Sequence, residues 1–206
     1  MTTTPPRGTP RDDRALLDAS RKGDTAGVRA ALERGANVEA RDGDRRTPLL
    51  LAAIEDHVEA ARILVAAGAD PDARDYRDDT AWLVTGVTGS VEMARTLLPA
   101  DPDPTLRNRY GGTALIPASE RGHVEYVRFA TAETRIDVDH VNNLGWTALL
   151  EAVILGDGGP DHQEVVRLLL AAGADPRIAD KSGVTPLRHA QDRGYRAIAD
   201  ILRATP

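Results

Sequence analysis

Five threonines recur along the chain at almost constant intervals: Thr47, Thr80, Thr113, Thr147 and Thr185, spaced by 33, 33, 34 and 38 residues. Ten residues after each of the first three stand His57, Ser90 and His123, each followed by Val-Glu. Gly68-Ala69-Asp70-Pro71 returns as Gly173-Ala174-Asp175-Pro176, and an earlier copy reads Gly35-Ala36-Asn37. Self-similarity at a period of roughly 20–50 residues restricts a chain to stacked supersecondary units, each too small to bury its apolar face alone. Counting the earlier copy, the sequence holds about six units.

Within a unit the pattern is helical. Thr47 suits an N-cap and Pro48 the first turn behind it. Leu49, Ala52 and Ala53 then share a face. After a short break, Val58, Ala61, Ile63 and Leu64 form a second apolar stripe. Gly68 closes that helix, where a left-handed residue is needed. The stretch from there to the next threonine reads as a turn projecting from the helix pair.

The stretch RRTPLLLAAIEDHVEAARILVAAGADPDARD (45–75) resembles an ankyrin repeat, from its Thr-Pro-Leu opening to its Gly-Ala-Asp close. The resemblance runs from about Asp12 to Ala204. The stretches 108–125 and 140–159 resemble, more narrowly, a subset of small bacterial ankyrin-repeat proteins. The resemblance implies an all-α ankyrin-repeat solenoid of about six helix-turn-helix units with projecting β-turn fingers. The units fall at about 12–41, 42–74, 75–107, 108–141, 142–179 and 180–206, as one domain over 12–206. The Thr/Pro/Arg-rich residues 1–11 are expected to be a disordered tail, with the first helix starting near Asp12.

Composition removes several function classes. With no cysteine there is no disulfide framework, thiol nucleophile or cysteine metal site. A formal charge of −6 disfavours non-specific nucleic-acid binding, which rests on neutralising phosphates. No apolar run reaches the roughly 18–20 residues of a membrane span, and residues 1–11 lack the apolar core of a signal peptide. Lysine occurs only at positions 22 and 181, a usage that correlates with GC-rich bacterial coding sequence. These features place the chain as a cytoplasmic protein, with neither nucleic acid nor membrane as partner.

Four departures from the repeat stand out. Unit five carries about five extra residues at Gly156–Asp161, which read as a flexible surface loop; its Asp157, Asp161 and His162 are a minor candidate for a metal site, and no metal is assigned. Glu151 occupies the fourth position after its threonine, where other units have Leu51, Val84, Pro117 and His189. In ankyrin repeats this slot faces the concave groove, so Glu151 is either a solvated carboxylate or a group that binds a cation, pairs with an arginine or acts as a general base. Pro117, inside the first helix of unit four, either makes that helix start late or bend or sits as a tolerated first-turn proline. Units three and four lack the closing glycine.

The positions just before each threonine are variable fingertips in the family. Here they include Arg46, Tyr76, Arg77, Arg109, Tyr110, Asn143 and Trp146, so three of the seven aromatic residues lie on tips. Tyr, Trp and Arg are the types enriched at interface hot spots. Trp82 takes a leucine position and reads as core. The sequence thus points to a non-enzymatic, cofactor-free, monomeric module. It would bind a protein partner along its concave face through Arg46, Tyr76, Arg77, Arg109, Tyr110, Asn143, Trp146 and Glu151. The alternative is a small-ligand or enzymatic pocket around Asn142, Asn143, Trp146 and Glu151.

Overall fold

The computed structural model describes residues 8–205. Among them are twelve α-helices and no strand. The chain divides into two compact units, one ending at Asp103 and one beginning at Pro104.

The first unit holds three antiparallel-type helix pairs: α1 (Pro10–Lys22) with α2 (Thr25–Glu33), α3 (Pro48–Ile54) with α4 (Val58–Ala66), and α5 (Ala81–Thr88) with α6 (Val91–Leu97). First helices pack on first helices, α1 on α3 and α3 on α5; second helices do the same, α2 on α4 and α4 on α6. The second unit repeats the scheme with α7 (Leu115–Glu120) and α8 (Val124–Glu133), α9 (Ala148–Ile154) and α10 (Pro160–Ala171), and α11 (Pro186–Asp192) and α12 (Arg196–Ala204). Alanines at the shared faces (Ala52, Ala53, Ala60, Ala61, Ala94, Ala118, Ala130 and Ala152, all at most 1% exposed) allow this close stacking. Leucines and valines fill the remaining space, with Trp82 and Tyr126 the largest fully buried side chains.

Four of the five threonines cap their helices as the sequence implied. Thr47, Thr80, Thr147 and Thr185 accept the backbone N–H of Leu50, Leu83, Leu150 and Arg188 at 3.1, 3.1, 3.2 and 3.4 Å. Thr113 does not. Its helix starts late, at Leu115, and its buried Oγ1 has no hydrogen-bond partner. Pro117 is the cause: it has no N–H to donate to the Thr113 carbonyl one turn back, and the first turn tightens to an Ile116 N–H bond of 3.3 Å to that carbonyl instead.

Where the closing glycine is missing, the second helices end by other means. α6 runs into a single 3₁₀ turn, Leu98–Ala100, that stops at a left-handed Asp101 with φ of 52°. α8 ends at an extended Thr134, whose hydroxyl donates back to the Ala130 carbonyl.

Two sequence expectations are corrected. The first concerns the tail. Residues 1–7 lie outside the described residues, but the helix begins at Pro10 rather than near Asp12. Thr9 caps it through a reciprocal pair of bonds with Asp12. The second concerns the insertion in unit five, which is not a loose loop. Pro160 opens α10 with Gly159 as its N-cap, so the extra residues lengthen the helix at its start. Asp157 accepts from the Gly159 N–H and contacts the His162 ring, each at 2.8 Å. The Tyr195 hydroxyl donates to the Gly156 carbonyl at 3.0 Å, and the His162 ring reaches the Glu120 carbonyl at 2.9 Å. Gly156 is buried, and a Cβ there would meet the Ala152 carbonyl oxygen at 2.2 Å.

Two stability outcomes follow. Thr47→Val is expected to cost about 1 kcal/mol, the usual worth of a threonine cap, whereas Thr113→Val is expected to be neutral or stabilising because it removes an unpaired hydroxyl. Urea melts of the two variants would decide this; equal losses would show that Thr113 caps after all. Deleting Gly156–Pro160 is expected to lower the melting temperature markedly, since it removes the start of α10 and the Tyr195 acceptor; an unchanged melt would return the segment to the status of a surface loop.

Candidate functional site

The fingers share a construction that the threonine register locates. Five residues before every threonine stands Asp or Asn: Asp42, Asp75, Asn108, Asn142 and Asp180. In each, the side-chain Oδ1 accepts two backbone N–H groups, two and four residues on. For Asp42 these come from Asp44 and Arg46, both at 2.9 Å. For Asn142 they come from Leu144 at 2.9 Å and Trp146 at 3.0 Å. Asp75, Asn108 and Asp180 repeat the pattern. The backbone adds a second clamp, with the Asx N–H bonded to the carbonyl four residues on at 3.0–3.1 Å throughout. The third residue after the Asx is left-handed in all five fingers. It is glycine at 111, 145 and 183, but Arg45 and Asp78 in the first unit. At Gly145 a Cβ would also meet the Lys181 side chain at 2.6 Å.

With Oδ1 committed to the backbone, the second side-chain atom of each Asx is free to face the helix. In the last two fingers its partner there is the fourth residue after the threonine. In the last finger Asp180 Oδ2 meets His189 Nε2 at 2.8 Å. The Val184 N–H, and then the His189 ring, hold the Asp180 carboxyl below the usual range. In the preceding finger Asn142 Nδ2 donates to Glu151 Oε1 at 2.8 Å. In the first unit the slot is Leu51, which offers no partner. Asp42 Oδ2 therefore turns to the guanidinium groups of Arg46, at 2.9 Å, and Arg21, at 3.1 Å. Burial raises the Asp42 carboxyl, but the Arg46 N–H and guanidinium outweigh it and the group sits below its ordinary value.

The Asn142–Glu151 pair corrects the expectation for Glu151. The carboxyl does not stand out in a groove; it is 4% exposed and bonded by Asn142. Burial pushes its pKa from the ordinary 4.5 up to about 7, with Glu120 adding repulsion and Asn142 opposing the rise. The Asn142 amide explains itself here. Aspartate, the more frequent residue at this finger position, would set two carboxyl groups against each other out of water.

The other expected site residues divide by exposure. Tyr76 is 69% and Tyr110 57% exposed, and Arg77, Arg109 and Asn143 are exposed as well. Arg46 is drawn into its own finger by Asp42 and Asp44, at 2.9 and 2.8 Å, and Trp146 is half-buried rather than exposed. In the second unit the tips interlock. The Tyr110 carbonyl accepts the Asn143 N–H at 2.9 Å, and Asn143 Nδ2 donates to the Arg109 carbonyl at 3.3 Å. Lys181 Nζ donates to the Asn143 carbonyl at 2.5 Å, and His140 contacts the Gly111 carbonyl at 2.6 Å. The Arg109 guanidinium lies 4.6 Å from the centre of the Tyr110 ring; in the first unit Arg45 lies 5.5 Å from that of Tyr76. Sequence reading missed Lys181, and it missed the structural role of the Asx residues, although their constant offset from the threonines was there to be read. No group of His, Asp and Glu suited to a metal ion occurs among the described residues.

Glu151 gives a pH signature. Its folded-state pKa lies above the unfolded value, so its contribution is fully favourable below about pH 4.5 and is lost as pH rises through about 7. Full ionisation in the folded state costs roughly 3 kcal/mol. Glu151→Gln keeps the acceptor for Asn142 and removes this cost. The variant is expected to overtake the parent in stability between about pH 5 and pH 8. Parallel pH profiles in denaturant melts would show that the carboxyl is not desolvated as described. Asn142→Asp is expected to destabilise most at high pH.

No helix among the described residues is long and apolar enough to cross a membrane. A family model described as ankyrin repeats (3 copies) matches residues 5–75 and 80–180. The putative ankyrin repeat protein YahD of Escherichia coli K12 is 49% identical over 78 residues, which are 38% of this chain and 39% of that protein. The chain therefore spans well under half of that relative in the matched region. Among solved structures, an ankyrin repeat domain from Acinetobacter baumannii AYE is 46% identical with a TM-score of 0.88, covering 92% of this chain and 96% of that one. The ankyrin repeat protein EF0377 is 38% identical with a TM-score of 0.90, covering 94% and 98%. The ankyrin repeat domain of Bcl-3, a member of the IkappaB family, is 29% identical with a TM-score of 0.81, covering 93% and 85%. Periodic threonine caps, stacked helix pairs, Asx-clamped fingers and these matches lead to one conclusion: the chain belongs to the ankyrin-repeat family.

Proposed function

We propose that this chain is a non-enzymatic protein-interaction module that meets its partner through its fingertips. Ankyrin repeats are in general modules for protein–protein interaction. The observation that carries the reading here is the exposure of large side chains on a rigid frame. Tyr76 and Tyr110 hold more than half their surface in water while the backbone beneath them is fixed by the Asx clamps. Burying such side chains against a partner costs little ordering, because the finger is already in place. An Arg–Tyr stack at each of the two tyrosines adds guanidinium donors at a set position.

The reading narrows the expected binding residues to Tyr76 and Arg77 in the first unit, and Arg109, Tyr110 and Asn143 in the second. Arg46 and Glu151 bond to their own fingers instead, and Trp146 is half-buried. The pocket alternative loses its main member, since Glu151 and Asn142 satisfy each other out of contact with water.

The test is recovery of a partner with the tagged full chain from its native cell, followed by affinity measurements on Tyr76→Ala and Tyr110→Ala. Each is expected to weaken binding by about 1–3 kcal/mol while leaving the melting temperature within a degree or two, as truncation of an exposed hot-spot aromatic does. Binding unchanged in both variants would move the interface off the fingertips.

A further inference from the structure

The two units differ in what surrounds their tip cations. In the first unit the fingers carry Asp42 and Asp44, then Asp75, Asp78 and Asp79. Three arginines there pair with them: Arg46 with Asp42 and Asp44, Arg74 with Asp78 at 3.4 Å, and Arg77 with Asp79 at 3.9 Å, while Arg45 stacks on the Tyr76 ring. In the second unit, residues 105–112 and 140–146 contain no Asp or Glu, and the last finger, 180–184, has only Asp180, whose carboxyl is taken up by the Ser182 and Val184 N–H groups and the His189 ring. Lys and Arg against Asp and Glu number 12 and 13 in residues 104–206 but 14 and 19 in residues 1–103, so the chain's negative charge is concentrated in the first unit.

Among the described residues neither Arg109 nor Lys181 forms an ion pair with a carboxylate. The Arg109 guanidinium bonds only the Tyr110 hydroxyl and lies over that ring; Lys181 Nζ donates to the Asn143 carbonyl. Stacking uses the face of a guanidinium and leaves most of its five N–H donors directed outward. An ammonium resting on one carbonyl likewise keeps two donors. Asn143 links the two by its bonds with the Arg109 carbonyl and with Lys181, so cation, amide and cation stand on three successive fingers. Beside them Tyr110 and Leu144 expose apolar surface, 57% and 52%.

We propose that the fingertips of the second unit bind an acidic segment of a partner protein. Its carboxylates would pair with Arg109 and Lys181, and an apolar side chain would lie on Tyr110 and Leu144. This rests on the protein-binding reading above and gives it a partner chemistry. The first unit, with its aspartate-rich tips, would repel the same segment, so register along the molecule is set by charge.

The test uses the full chain, isotopically labelled, and two capped peptides that alternate Ser with Glu, or Ser with Lys, around a central Leu. At low salt the Glu peptide is expected to shift the amide resonances of residues 107–112, 142–146 and 181–183, and to lose affinity as salt is raised. Arg109→Glu with Lys181→Glu is expected to weaken it by at least about tenfold. The Lys peptide should leave those amides unmoved. Both positions are exposed; if the charge-reversed protein melts early, Arg109→Gln with Lys181→Gln replaces it. Absence of shifts, shifts centred on other residues, or equal affinity in the double variant would overturn the acidic-segment assignment. That failure differs from failure of the protein-binding reading, which is judged on a recovered partner and the two tyrosine variants.

Discussion

One side-chain oxygen per repeat holds these fingers. The Oδ1 of an Asp or Asn, five residues before the capping threonine, takes up two backbone N–H groups that the turn would otherwise leave to water. The clamp fixes the distance between the end of one helix pair and the cap of the next. Stacking then depends on it, because a unit buries its apolar face only if its neighbour arrives in register. The threonine cap completes the link: its hydroxyl closes the first turn of the helix that the finger delivers.

Fixing Oδ1 in this way makes the other side-chain atom a variable. In the last two fingers it meets the fourth residue after the threonine, and the pair matches in chemistry. Asp180 meets His189, Asn142 meets Glu151, and Asp42, facing Leu51, recruits arginines from elsewhere. In the last two fingers the pairing avoids setting two carboxyl groups against each other in a poorly hydrated slot. Glu151 is the costly member. An amide donor offsets only part of its desolvation, which is why its proton is held up to about pH 7. The histidines make a second set of cross-links, between successive repeats: His57 reaches the Arg21 carbonyl at 3.1 Å and His162 the Glu120 carbonyl at 2.9 Å.

The period of the threonines was enough to read the architecture, because a repeat signals both its helices and its need for neighbours. Pro117 also announced the late start as one of two outcomes, since a missing N–H has only local consequences. What escaped the sequence was anything that depends on a partner distant in the chain. The Gly156–Asp161 segment is rich in glycine and aspartate, and composition alone describes a loop. Its packing against Tyr195, 39 residues away, and the helical start at Pro160 become visible only in three dimensions. Glu151 looked exceptional by residue type, and was. Its direction was misjudged because the Asn142 amide that draws it inward belongs to a finger whose logic had not been read. Lys181 passed unnoticed as a lone charge; its interest lies in the absence of acids on the fingers beside it.

That absence bears on how a repeat protein divides labour. The frame repeats because stacking demands it, and five Asx clamps, four threonine caps and a row of alanines leave little freedom there. The residues one and two places after each Asx are under no such demand: Gly43 and Asp44, Tyr76 and Arg77, Arg109 and Tyr110, Asn143 and Leu144, Lys181 and Ser182. Their side chains take no part in the Oδ1 clamp itself, although Asn143 and Lys181 also bond neighbouring fingers. In the first unit they sit among aspartates that pair with Arg46, Arg74 and Arg77, which leaves fewer free donors there for an anionic ligand. In the second unit the same positions carry cations, an aromatic ring and a leucine, and the acid of these tips, Asp180, is spent on the backbone and His189. A rigid backbone beneath unpaired donors is the arrangement in which a charge-assisted bond to an incoming carboxylate gains most, because neither ordering the loop nor breaking an existing ion pair opposes it.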